Sequence, residues 1–194
     1  MNKNRLEAFS DGVLAIIITI MVLELKIPKS PDWSELKELI PVFFSYTISF
    51  LFIGIYWGNH HHLLHAVKRI NSGIMWANIN FLFWLSLIPF ATGWMGENHF
   101  ARNPVIIYAL LLFISGMAFF ILQQIIAKSH DFDFVMQEAM RKAEKKGIIS
   151  LIAYAIAIAL SFYNPKISGI IFLVVAIVWI IPEKNIEKAL NEKL

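Results

Sequence analysis

Three short polar groups interrupt an otherwise apolar chain: Arg5, Ser10 and Asp11; Asn59, His60, His61, His62 and His65; and Asn78 with Asn80. Serine, histidine and aspartate are the residue types of a hydrolytic triad, but Ser10 and Asp11 are adjacent, and neighbours on a helix point in different directions. His61 and His65 are spaced i, i+4, so a helix would set both imidazoles on one face, where they would hold a metal if ligands arrived from another helix. No His-Glu-x-x-His pattern accompanies them, the chain has no cysteine, and Asp11 is the only carboxylate expected to reach the pair. The residues therefore predict no enzyme, no catalytic group, no metal and no cofactor. What they offer is hydrogen bonding: a carboxylate at an apolar boundary needs donors, and imidazoles and amides supply them. Such a group would clamp one helix against two others, and protonation of its histidines would tune the clamp near neutral pH.

The elements that must position these groups are membrane helices. Hydrophobic residues make up 58% of the 194, aromatics 14%, and the mean hydropathy is +0.63; a water-facing surface does not tolerate this, so the lipid bilayer is the solvent. A net charge of +3 does not point to nucleic acid, because the basic residues sit in short loops between apolar runs rather than on one polar face. Charges are costly at the bilayer centre, and stretches free of them divide the chain into six predicted spans at about 9–27, 40–65, 71–95, 104–127, 147–163 and 166–182. Between the fourth and fifth, residues of about 131–146 read as an amphipathic helix ending at Gly147, on the inner membrane surface or against neighbouring loops; residues 183–194 read as a short charged tail. Alternate loops carry 12 and 5 of the Lys and Arg residues, a bias that places both termini in the cytoplasm. The predicted fold is all-α: one polytopic unit of six transmembrane helices in the inner, cytoplasmic membrane.

The first span differs from the rest. Its charge-free centre, Gly12 to Leu23, is only 12 residues long, and it reaches a membrane-crossing length only by including Asp11, Glu24 and Lys26. At about 100° per residue, Phe9, Val13, Ile16, Ile20, Leu23 and Ile27 share one stripe, with Thr19 at its edge and Asp11 opposite. One chain could bury the stripe as ordinary packing; several copies around an axis would stack Ile16, Ile20 and Leu23 into rings able to gate a pore by dewetting. The Thr19 hydroxyl would coordinate a cation or bond back to its own helix. Glu24 would form a cation-attracting ring at the outer side, or snorkel, or pair with Lys26 or Lys29. Gly54 and Gly58 have the small-xxx-small spacing of close helix packing.

Arg5 followed after three residues by Phe9-Ser10-Asp11 resembles the Arg-x-x-x-Phe-Ser-Asp signature of the endolysosomal potassium channel family that lacks a TVGYG filter, in its bacterial branch. The run from Phe9 to Leu23, Trp57 before His60-His61, and Asn80 leading to Pro89-Phe90 are similar to that family's first three helices; the likeness covers the first half of the chain. It implies a homotetramer whose first helix lines a central pore, with the constriction at Ile16, Thr19, Ile20 and Leu23; Glu24 and Ile27, beyond Leu23, would then stand at the outer mouth. It also implies that Arg5, Phe9, Ser10 and Asp11 tie the pore helix to Trp57, His60, His61 and Asn80. Potassium ions would be the permeant partner, with modest preference over sodium. The rival classes are a secondary transporter of cations, which would need broken helices and a midplane site, and a histidine-rich membrane metalloprotein.

Overall fold

Eight α-helices fill the described residues: α1 (Lys3–Val22), α2 (Trp33–Glu38), α3 (Ile40–His65), α4 (Ser72–Ser86), α5 (Ile88–Glu97), α6 (Arg102–Ser129), α7 (Phe134–Ser161) and α8 (Pro165–Ile180). The computed structural model describes residues 2–180, so the tail 183–194 and the end of the sixth predicted span lie outside the described residues.

Local chemistry sets most of the helix ends. Asn2 caps α1 by accepting the Asn4 N–H, and Leu23 N and Leu25 N close its far end with tight bonds to the Ile20 and Val22 carbonyls. The helix thus begins at Lys3 rather than 9 and stops at Val22 rather than 27. A charged first turn does not prevent a helix from starting beyond the apolar region. Leu23 and Glu24 lie in the closing turn, and Ile27 lies past it, 90% exposed.

Pro41 sits in the opening turn of α3, where its missing N–H leaves no bond unmade. The stretch predicted as one span at 71–95 is interrupted at Leu87, because Pro89 has no N–H to continue the ladder. The amphipathic segment and fifth predicted span are one helix: Asp133, whose side chain accepts the Met136 N–H, caps α7, which runs through Gly147. A single glycine in a good helix-forming run costs only about 1 kcal/mol. The short helix α2 falls in what the sequence pattern reads as a loop.

Among the described residues three stretches are long and apolar enough to cross a membrane: Ile40–His65, Ser72–Glu97 and Arg102–Ser129. The apolar α8 has 16 described residues, and α1 and α7 carry charges in their first halves.

The long helices alternate in direction, with α4 and α5 running the same way one after the other. At one end, Lys3 Nζ of α1 donates to the His65 carbonyl closing α3 (2.6 Å), and Asn71, which caps α4, donates to Ser129 Oγ at the end of α6 (3.1 Å). At the other end, Lys26 pairs with Glu97, and Ser161 meets Ser168 across the α7–α8 turn. Between lipid-facing helices tight packing and interhelical hydrogen bonds hold the bundle. Phe52, Phe81, Tyr108, Leu112 and Phe172 are fully buried among the helices. Ser49 Oγ lies 2.7 Å from Thr92 Oγ1 and 2.9 Å from Tyr108 OH, which ties α3, α5 and α6 together. Helix α1 packs on α3, α4 and α5 through Leu6, Leu14, Ile17 and Met21, so only part of its surface is covered.

Candidate functional site

The helical period of α1 separates two faces. Leu6, Ser10, Leu14, Ile17 and Met21 recur at i, i+3 and i+4 and are buried against the neighbouring helices. On the other side the subunit leaves Phe9 (55%), Ile16 (58%), Ile20 (44%) and Leu23 (76%) exposed, together with Gly12, Ala15 and Thr19. The Thr19 hydroxyl donates back to the Ile16 carbonyl (2.9 Å) and lies 3.1 Å from that of Ala15. Its proton is used by the helix, and the oxygen keeps its capacity to accept.

One residue chain fixes the buried face. Ser10 Oγ donates to the Leu6 carbonyl (2.8 Å) and accepts from Asn78 Nδ2 (2.9 Å), and Asn78 Oδ1 lies 2.6 Å from His60 Nε2. An amide oxygen only accepts, so His60 donates through Nε2, and the three side chains join α3 to α4 to α1. All three are buried, and the His60 ring stacks on Phe81 with centroids 5.7 Å apart. A second tie lies nearer the surface: Trp57 Nε1 donates to Asp11 Oδ1 (3.0 Å). His61 stacks on His65 and lies tilted against Trp57, with ring centroids 6.1 Å from each, and stays exposed.

Not every predicted member of the clamp joins it. Asn80 is exposed and forms no hydrogen bond to the group; it stands two residues, about 200°, around α4 from Asn78. The amide that closes the network is Asn78. Arg5 is exposed, and its side chain pairs with none of the described residues. The sequence pattern also passes over two contributors at this end: Lys3, which reaches the end of α3, and half-buried Glu7, 3.9 Å from Lys3 Nζ at i, i+4 spacing. That spacing was the available signal.

At the opposite end Glu24 turns toward α5: a Cβ added at Gly93 would stand 2.7 Å from Glu24 Oε2. Lys26 pairs with Glu97 rather than Glu24, and this bond, reinforced by the carboxylate charge, raises the Lys26 pKa above the usual lysine value. Among the described residues no three His, Cys, Asp or Glu side chains converge as a metal site would require.

A family model described as the endosomal/lysosomal potassium channel TMEM175 matches residues 5–89, from Arg5 through the clamp to Pro89. A protein described as a potassium channel in Chryseobacterium sp. is 50% identical over 192 residues, covering 99% of this chain and 100% of its own. The chain belongs to the TMEM175 family. Another relative described as a potassium channel, from Streptomyces collinus, is 30% identical over 179 residues, with 87% of each chain covered. The crystal structure of a lysosomal potassium-selective TMEM175 homolog from Chamaesiphon minutus superposes with a TM-score of 0.81 at 28% identity, covering 91% of this chain and 95% of that one. The likeness of this TMEM175 chain to its relatives therefore extends well past the first half. It places the molecule among ion channels of membranes, not among enzymes.

Proposed function

We propose that four copies of the chain form a potassium channel in the inner membrane, with the exposed face of α1 lining a central pore. The observation that carries this is the division of α1: Ser10 and its neighbours are held inside the subunit, while Ile16, Ile20 and Leu23 are left uncovered. Around a symmetry axis these three would stack as narrow aliphatic rings, which exclude water when closed and admit it when α1 tilts or rotates. Potassium gives up its hydration shell at lower cost than sodium, so such rings favour it modestly. Two relatives described as potassium channels support the choice of ion.

In this arrangement α1, α3, the pair α4 and α5, α6, the second half of α7, and α8 are the six spans, and both termini are cytoplasmic. Glu24 and Ile27 stand at the outer mouth, where Glu24 would draw cations once its carboxylate leaves Gly93. Ser10 and Asp11, held through Asn78 and His60 and through Trp57, keep the pore helix in register.

Flux into proteoliposomes tests the proposal. The wild type should pass potassium faster than sodium, at single-channel rates that no transporter reaches, and without stoichiometric bound metal. Ile16→Asn, Ile20→Asn and Leu23→Asn should each raise leak and weaken the potassium preference. Unchanged currents in all three would move the pore elsewhere.

A further inference from the structure

At the end of the bundle that carries the N terminus, the loop between α3 and α4 faces the turn between α6 and α7 across a cleft of about 490 Å³. Lys68 and Arg69 line one wall, and Ser129, His130, Asp131 and Phe132 line the other. Two side-chain bridges hold the walls at a fixed separation. His130 Nε2 accepts the backbone N–H of both Lys68 (3.2 Å) and Arg69 (3.3 Å), and Asn71 donates to Ser129 Oγ (3.1 Å). The His130 ring stacks on Phe132.

The loop amides are thus spent on the imidazole, whereas the adjacent Lys68 and Arg69 side chains form no ion pair with any described residue. Among the described residues Asp131 is the only acid lining the cleft. By contrast Arg141 and Lys142, also exposed cations, are both satisfied by Glu138. Two neighbouring unpaired cations in a walled cleft of this size, with Ile70 and Phe132 as apolar lining, suit a phosphate group attached to something apolar. The cleft lies where α3 and α6 end, at the boundary between apolar helix and polar loop.

We propose that this cleft binds the phosphate headgroup of an anionic phospholipid, with Lys68 and Arg69 as its charged contacts and His130 and Asn71 as positioning residues. The inference rests on α3 and α6 spanning the bilayer, but not on where the pore runs. Basic residues near a membrane surface each contribute on the order of a fivefold gain in affinity for anionic lipid.

Native mass spectrometry of the purified full-length chain, titrated with phosphatidylglycerol or phosphatidylcholine, tests this. Wild type should retain phosphatidylglycerol selectively, K68Q/R69Q should lose retention by about tenfold or more, and the control R141Q/K142Q should behave as wild type. Each single variant should show an intermediate loss, which keeps the comparison valid if the double variant is poorly folded. Added inorganic phosphate separates the sources: the lipid is the ligand if it stays bound in millimolar phosphate, and a soluble phosphate compound is the ligand if it is displaced. Equal retention by K68Q/R69Q and wild type, or equal retention of phosphatidylcholine, overturns the site altogether.

Discussion

The indole N–H of Trp57 reaches Asp11 Oδ1 across 3.0 Å and ties α3 to the one acid in the middle of α1. The bond needs an acceptor oxygen at residue 11, not a charge. Asp11→Asn, which keeps an oxygen, should therefore retain most of the stability that Asp11→Ala loses. Both partners are partly solvent-accessible, so the loss should be about 1 kcal/mol. In thermal unfolding, Trp57→Phe with Asp11→Ala should cost no more than either change alone; full additivity would show that the two act separately.

Asn78 and Asn80 are two residues apart yet should respond in opposite ways. Asn78→Leu removes the donor to the Ser10 oxygen, whose own proton stays on the Leu6 carbonyl, and leaves the His60 Nε2–H without its acceptor, a loss of about 1–3 kcal/mol. Asn80→Leu removes an exposed side chain and should change stability by no more than about 0.5 kcal/mol. Comparing the two melting temperatures in one detergent is sufficient; equal shifts would contradict the assignment of Asn78 as the closing amide.

Glycine substitutions should separate contacts inside the subunit from contacts outside it. A Cβ at Gly96 would stand 2.7 Å from the Val42 Cα, which is backbone and cannot step aside. Gly96→Ala should therefore be strongly destabilising. Gly54 and Gly58 have nothing within 4 Å of an added Cβ, so alanine there should be neutral or gain up to about 1 kcal/mol from helix propensity. Should Gly54→Ala instead lower the oligomer size in a sizing experiment, the small-residue face would be a contact between subunits.

The Lys26–Glu97 pair gives a pH dependence with a definite sign. The carboxylate bond raises the Lys26 pKa above 10.5, so its contribution is fully present below that value and fades as pH rises through the raised one. The pair is exposed, so the effect is small and screened by salt. Lys26→Met should melt slightly below wild type at neutral pH, with the gap closing under strongly alkaline conditions.

How much of this was legible in sequence differs residue by residue. The bounds of α3 coincide with the predicted 40–65 because Pro41 and the surrounding charges punctuate both ends. Those of α1 do not, since counting charge-free residues locates the apolar zone and not the helix, which continues through Lys3, Arg5 and Glu7. Ser10 and His60 could be grouped from depth alone, but choosing between Asn78 and Asn80 required the rotation of α4. The Lys26–Glu97 pair joins positions 71 apart, and no local pattern selects Glu97 over the nearer Glu24. The small-residue rule found Gly54 and Gly58 by spacing, whereas the close approach occurs at Gly96, where α5 meets Val42 and Ser45 of α3.

Thr19 offers the sharpest probe of the ion path. Its hydroxyl proton is donated to the carbonyls one turn back, so the side chain is satisfied within its own helix and could be dismissed as structural. That bond uses the proton and not the oxygen's acceptor capacity, and Thr19 lies on the uncovered face with Ile16 and Ile20. Thr19→Ser keeps both the donated bond and the oxygen, whereas Thr19→Val keeps the shape and removes both. If the oxygen contacts a partly dehydrated cation, valine should cut potassium flux severalfold and narrow its margin over sodium, while serine stays near wild type. If the hydroxyl serves only the helix, valine should leave flux and selectivity unchanged, since bonding back to the helix adds little to its stability. Potassium and sodium flux from the same proteoliposome preparations, normalised to protein, would separate the two.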